Sequence, residues 1–217
     1  MKEKSNTKKY VLIGIILMLI GTLLITSDYL KSKKYKAYET INLALSKLPT
    51  YIEDDNTEDT NQPTQPEEPN NDQKDDQPNV TYKYIGTLEI PKISFNKGFV
   101  EKNTSANNVD YNIEILEQSD YPNVSKGNFI IAGHSGNGWN SFFKDLYQLE
   151  INDKAYVYYN HKKYTYNIVD IYYQPKTGKL KIYRDHNKTT MTLITCTKND
   201  KTSQTVYILE LEKTEKY

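Results

Sequence analysis

The chain is poor in the residues that cross-link proteins or bind metals. Among its 217 residues there is one cysteine, one tryptophan and three histidines. A single Cys196 makes no internal disulfide and no multi-thiolate metal site. It is therefore either a small apolar packing residue or a thiol kept for its reactivity. Arg184 is the only arginine. Basic and acidic residues balance at 28 each, which removes the basic excess that a nucleic-acid-binding surface needs. The acidic residues from Tyr82 onward form no recognisable calcium loop.

What is present is strongly segmented. Residues 10 to 26, YVLIGIILMLIGTLLIT, carry no charge, and about 17 to 20 such residues cross a hydrocarbon core of about 30 Å. Lys2, Lys4, Lys8 and Lys9 precede the run, which favours a cytoplasmic N-terminus. The run exceeds an ordinary secretory core and has no small-residue cleavage site after it, so an uncleaved signal-anchor is expected. The expected layout is a cytoplasmic N-terminus at 1–9 and a transmembrane anchor at 10–27. A juxtamembrane segment at 28–51 follows, with apolar residues at helical spacing. Residues 52–80 are acidic, rich in Pro, Asn and Gln, and almost free of apolar side chains. They bury too little surface to offset their ordering entropy and read as a disordered linker. The remaining domain, 81–217, is placed outside the cell.

From Tyr82 onward the pattern is that of short strands. YIGTLEIP, FIIAGH, MTLITC and TVYILELE are apolar runs, and KAYVYYNHKKYTYNIVDIYY reads as two Tyr- and Val-rich strands around an NHKK turn. SFFKDLYQL is the best short-helix candidate. The fold class expected is mostly β: a closed or nearly closed barrel of about eight strands.

Cys196 ends the strand MTLITC where the polar TKNDKTSQ begins, which suits a barrel rim. His134 stands where FIIAG opens into a loop of small residues, whereas His161 and His186 sit in polar turns. Asn128, Ser135, Thr195 and Trp139 lie close by in sequence. GHSGN nearly makes a G-x-S-x-G nucleophile elbow on Ser135, but its fifth residue is Asn137 and the strand–helix alternation of an α/β-hydrolase is missing.

IGTLEIPKI, then GNFIIAGHSG followed by FFKDLYQL, then TLITCT 62 residues after the histidine, resemble the sortases, over about residues 82–212. The resemblance implies a sortase-like barrel behind a membrane anchor, and a cysteine transpeptidase without cofactor. The activity implied is cleavage of an LPxTG-like sorting signal through a thioacyl-enzyme. The surface protein is then joined to an amine of peptidoglycan or of a pilin. It implies Cys196 as nucleophile and His134 as general acid/base. It also implies an arginine on the strand after the cysteine, and this chain has none. Gln204, eight residues past Cys196, is the best occupant by position, with Arg184 and Lys201 as alternatives. The short C-terminus and the sequence before His134 hint at a class C- or D-like form. A non-catalytic binding domain on the same barrel is the alternative function.

Overall fold

The computed structural model describes residues 3–46 and 82–217; the expected linker at 52–80 lies outside the described residues. Helix α1 runs from Glu3 to Ser46, so the segments expected as anchor and juxtamembrane helix form one continuous helix as far as Ser46. Lys9–Ser27 is long and apolar enough to cross a membrane. Its hydroxyls do not oppose that. Thr22 donates to the Met18 and Leu19 carbonyls, Thr26 to Thr22 and Leu23, and Ser27 to Leu24, all at 2.9–3.1 Å. A hydroxyl bonded back onto its own helix needs no water, which is the condition for residing in hydrocarbon.

Eight strands follow: β1 Tyr84–Ile90, β2 Phe95–Val100, β3 Glu114–Ile115, β4 Asn128–Ala132, β5 Lys154–Tyr159, β6 Lys162–Pro175, β7 Thr190–Cys196 and β8 Ser203–Lys216. They form one sheet in the order β2-β1-β5-β6-β8-β7-β4-β3, curled into a nearly closed barrel. All neighbours are antiparallel except β4 and β7. The two long strands, β6 and β8, carry the bend. Their register slips between Thr165 and Tyr166 and again between Ile168 and Asp170, and such bulges bend a strand and raise its twist. The β5–β6 turn places Asn160 at φ 50° and His161 at φ 54°, the two positive angles of a tight hairpin turn. Lys162 and Lys163 already belong to β6, so that turn is shorter than the sequence pattern indicated. SFFKDLYQL makes turns and a single 3-10 turn, Leu146–Gln148, rather than an α-helix.

Alternation along each strand sorts the side chains into two sets. Phe129 and Ile131 of β4, Met191 and Leu193 of β7, and Tyr207 and Leu209 of β8 point into the barrel, where they join Leu88, Phe99, Val157 and Tyr166. The rings of Phe99 and Phe129 meet across this core with centroids 5.2 Å apart. The intervening residues point outward. On β4, β7 and β8 that outer face is also apolar: Ile130, Ile194, Val206 and Ile208 are buried under Leu116, Tyr172, Leu180 and Ile182. Leu180 and Ile182 belong to the segment between β6 and β7, which lies over this face as a wall.

Candidate active site

The same alternation places the sequence candidates. Cys196 follows Ile194 by two residues on β7, and Gln204 precedes Val206 by two on β8. Both project from the outer apolar face, at the end where the strands run out. Cys196 and Gln204 are direct cross-strand partners, a position in which Cβ atoms are about 4.5–5.5 Å apart. Gln204 in turn faces Gln174 on β6.

His134 reaches the same place from β4. The parallel register pairs Ala132 with Ile194, so two residues further on His134 comes level with Cys196. Three bonds hold the chains together beyond the ladder: Gly133 N to Ile194 O at 3.1 Å, Thr195 Oγ1 to Gly133 O at 2.8 Å, and Ser135 Oγ to Cys196 O at 2.6 Å. The glycine before the histidine is required by packing. A Cβ on Gly133 would lie 2.9 Å from the Phe143 ring, which is fully buried. Phe143 N also donates to His134 O at 2.8 Å, so this ring and its backbone set where the histidine turns outward.

The imidazole is half-exposed, and its Nε2 lies 3.1 Å from Asp110 Oδ1. Cys196 is half-buried and is the only free thiol. The structure therefore brings Cys196, His134 and Gln204 to one rim. It leaves the other two histidines away from it: His161 is in the β5–β6 turn, and His186 is exposed in the loop before β7.

Arg184 is elsewhere. Its Nη1 donates to Lys126 O at 3.2 Å, Lys188 O at 3.3 Å and Thr190 Oγ1 at 3.4 Å. Thr190 opens β7 and Cys196 closes it, so six steps of about 3.3 Å separate them, roughly 20 Å. Arg184 thus fastens the loop at the far end of the strand. Lys201 is exposed in the β7–β8 loop, and its carbonyl accepts from Lys176 Nζ at 3.1 Å. Ser135 is not free to serve as a nucleophile in the present arrangement, because its hydroxyl donates to the Cys196 carbonyl. Asn128 is a buried structural residue whose Oδ1 accepts from Thr190 and Thr192, each at 3.0 Å.

Beside Cys196 the segment between β6 and β7 stands as a wall whose Leu180 and Ile182 pack, with Ala132, against the buried Ile194 and Val206. That wall is pinned to β6 by two side chains. Gln174 accepts from Lys181 N at 3.0 Å and donates to Lys181 O at 3.1 Å. The Tyr172 hydroxyl donates to Lys181 O at 2.9 Å and accepts from Tyr183 N at 3.0 Å. None of Asp110, Gln174, Tyr172 or the two wall residues stood out in the sequence, because each acts through register or a loop docking that no local pattern signals. A concavity of about 420 Å³ opens on the opposite face of the same strands between Tyr147, Ile171, Tyr173, Thr197 and Tyr207.

Residues 88–212 match the Sortase domain. The chain belongs to the sortase family. It is 26% identical to Sortase A of Bacillus anthracis over 195 residues, covering 88% of this chain and 89% of that protein. Its fold matches the crystal structure of Listeria monocytogenes sortase A with a TM-score of 0.53 at 24% identity, over 62% of this chain and 90% of that one. It also matches the Clostridium perfringens Sortase D5 transpeptidase with a TM-score of 0.52 at 24% identity, over 60% and 79%. As a sortase it is a cysteine transpeptidase, acting on a surface protein and an amine acceptor. Among the described residues no group of His, Cys, Asp or Glu is placed to hold a metal ion.

Proposed function

We propose that this sortase cleaves an LPxTG-like sorting signal through a thioacyl-enzyme on Cys196. The observation that carries the reading is the shared rim: Cys196, His134 and Gln204 lie together beside the apolar wall of Leu180 and Ile182. The Cys196 sulfur, as thiolate, forms a bond to the threonine carbonyl carbon of the signal. The Thr–Gly bond then breaks, and His134 as imidazolium passes its proton to the departing glycine amine. An amine of peptidoglycan or of a pilin attacks the thioester, giving its proton to the now neutral His134, and the sulfur leaves as thiolate. Gln204 is placed to donate its amide N–H to the carbonyl oxygen as negative charge develops there; neutral side-chain amides fill this role in other enzymes. The partly exposed Ala132, Leu180 and Ile182 beside the rim suit the leucine and proline of such a signal.

The anchor fits the same reading. With Lys2, Lys4, Lys8 and Lys9 kept in the cytoplasm, the barrel stands outside the cell. The test is the full chain in detergent micelles, incubated with a panel of LPxTG-like peptides and an amine donor. Mass spectrometry should find a thioacyl adduct on Cys196 that vanishes in Cys196→Ala. A folded protein that forms no adduct with any peptide, and whose thiol reacts no faster than a free cysteine, would reject it. One observation favours the alternative of a non-catalytic binding barrel: the sole arginine is fastened about 20 Å from the thiol by strand length.

A further inference from the structure

Among the described residues, the His134 ring makes one hydrogen-bond or ionic contact, to Asp110 Oδ1, 3.1 Å from Nε2. Asp110 is carried by the loop between β2 and β3, 24 residues before the histidine, and it is not left loose there. Asn108 Oδ1 accepts from Asp110 N at 2.8 Å, closing a side-chain turn around the aspartate. Asn108 O accepts from Tyr111 N and Asn112 N at 3.0 and 2.8 Å. Glu114 Oε2 accepts from Val109 N at 3.2 Å. From the other side, Asn140 Nδ2 in the loop after His134 reaches Asp110 O at 3.4 Å. The aspartate is thus fixed by its own loop and tied to the loop that carries the imidazole.

We propose that Asp110 is a positioning residue for His134, holding the neutral ring in the Nε2–H tautomer and leaving Nδ1 as the nitrogen that exchanges a proton at Cys196. An ionised carboxylate only accepts hydrogen bonds, so the nitrogen facing it must carry the hydrogen. The other nitrogen then has its lone pair in the plane of the ring and away from Asp110. Which nitrogen of a histidine works is set in this way by the bond the other one makes. The wrong tautomer would present an N–H at the thioester, with no lone pair to receive the proton of the attacking amine. Both groups are substantially open to water, with side chains 38% and 68% exposed, so the pair acts through orientation, and its effect is smaller than that of a buried triad carboxylate. The proposal rests on His134 being the general acid/base.

The experiment compares Asp110→Ala and Asp110→Asn with the wild type, using the full chain in micelles. Two readouts are taken: transfer kinetics on LPxTG-like peptides, and ring-nitrogen chemical shifts of isotopically labelled histidine. Unlike the carboxylate, the Asn side chain can also donate an N–H to Nε2, which favours the wrong tautomer. The expected result is a kcat lowered about five- to tenfold in Asp110→Ala with KM unchanged. Asp110→Asn should be slowed at least as much, since its amide no longer forces Nε2 to carry the hydrogen. The nitrogen shifts should report Nε2–H in the wild type, a mixture of tautomers in Asp110→Ala, and a shift toward Nδ1–H in Asp110→Asn. An unchanged tautomer and kcat in Asp110→Ala overturns the proposal. So does an Asp110→Asn protein that takes the Nδ1–H tautomer yet transfers as fast as the wild type. If the wild type transfers no peptide, it is the sorting-signal reading that has failed, and the nitrogen shifts alone decide the role of Asp110.

Discussion

Strand β7 has two ends built from similar polar residues and used in opposite ways. At its start, Thr190 and Thr192 give their hydroxyl hydrogens to Asn128 Oδ1, and Arg184 closes over Thr190 and two backbone carbonyls. Those hydroxyls and the Asn128 amide oxygen are satisfied by the protein itself. At its other end the backbone is tied down by Ser135 and Thr195, while Cys196 and Gln204 remain partly exposed. Polar groups bonded to each other add rigidity. Polar groups held in place but left partly open to solvent are available to a substrate. The comparison separates scaffold from chemistry within seven residues.

The largest effects should come from the open end. Cys196→Ala should abolish transfer and the acyl adduct while the barrel stays folded by circular dichroism; residual transfer above background would remove Cys196 from the nucleophile's role. His134→Ala should lower kcat by about 10²- to 10⁴-fold, the range for a general acid/base. Gln204→Ala should cost about ten- to a hundredfold in kcat, below a fully buried oxyanion donor because the rim is half-exposed. An unchanged rate in that variant would move oxyanion stabilisation to backbone donors.

The closed end should respond in the other currency. Arg184→Ala should leave kcat alone and cost about 1 kcal/mol of stability through its lost hydrogen bonds, read as a shift in denaturation midpoint. A large fall in kcat with an unchanged midpoint would contradict the assignment. The smallest effect concerns the core. Tyr166 is fully buried, and its hydroxyl bonds to none of the described residues. Tyr166→Phe should therefore be neutral or stabilise by about 1 kcal/mol.

Burial also pushes the Tyr166 hydroxyl well above its ordinary value of 10.0, and that of Tyr207 likewise. A raised acid in the folded state favours the neutral form there. Its contribution to stability is present below pH 10 and is lost as pH rises, because the unfolded chain ionises first. Alkaline titration above pH 10 should show tyrosinate absorbance rising together with loss of tertiary structure. Ionisation of these two rings in a still-folded barrel would sink that linkage.

Much of this was legible in the sequence. The apolar run, the alternating strands and the positions of Cys196 and His134 at strand ends follow from period and composition, which are local. The β3 strand of two residues and β2, whose FNKGFV breaks alternation with a glycine, left no clear trace. Asp110 was hidden because its partner is set by loop geometry. Arg184 was ambiguous for a related reason: nothing in the sequence says which end of β7 its loop docks against. Gln204 could be proposed by counting residues, but only the β7–β8 register shows it directly across from Cys196.

The last strand to be made is a middle strand of the sheet. β8 lies between β6 and β7, so a chain growing from its N-terminus has no continuous sheet until residues 203–216 exist. Before that it holds two unjoined pieces, β2-β1-β5-β6 and β7-β4-β3, with open edges facing each other. Parallel pairing of β4 with β7, across some sixty residues, is slow to form by itself. β8 supplies the template that aligns both pieces. During synthesis the Gln204 that faces Cys196 is therefore absent until β8 arrives, and a chain ended before residue 203 carries the thiol without its cross-strand partner.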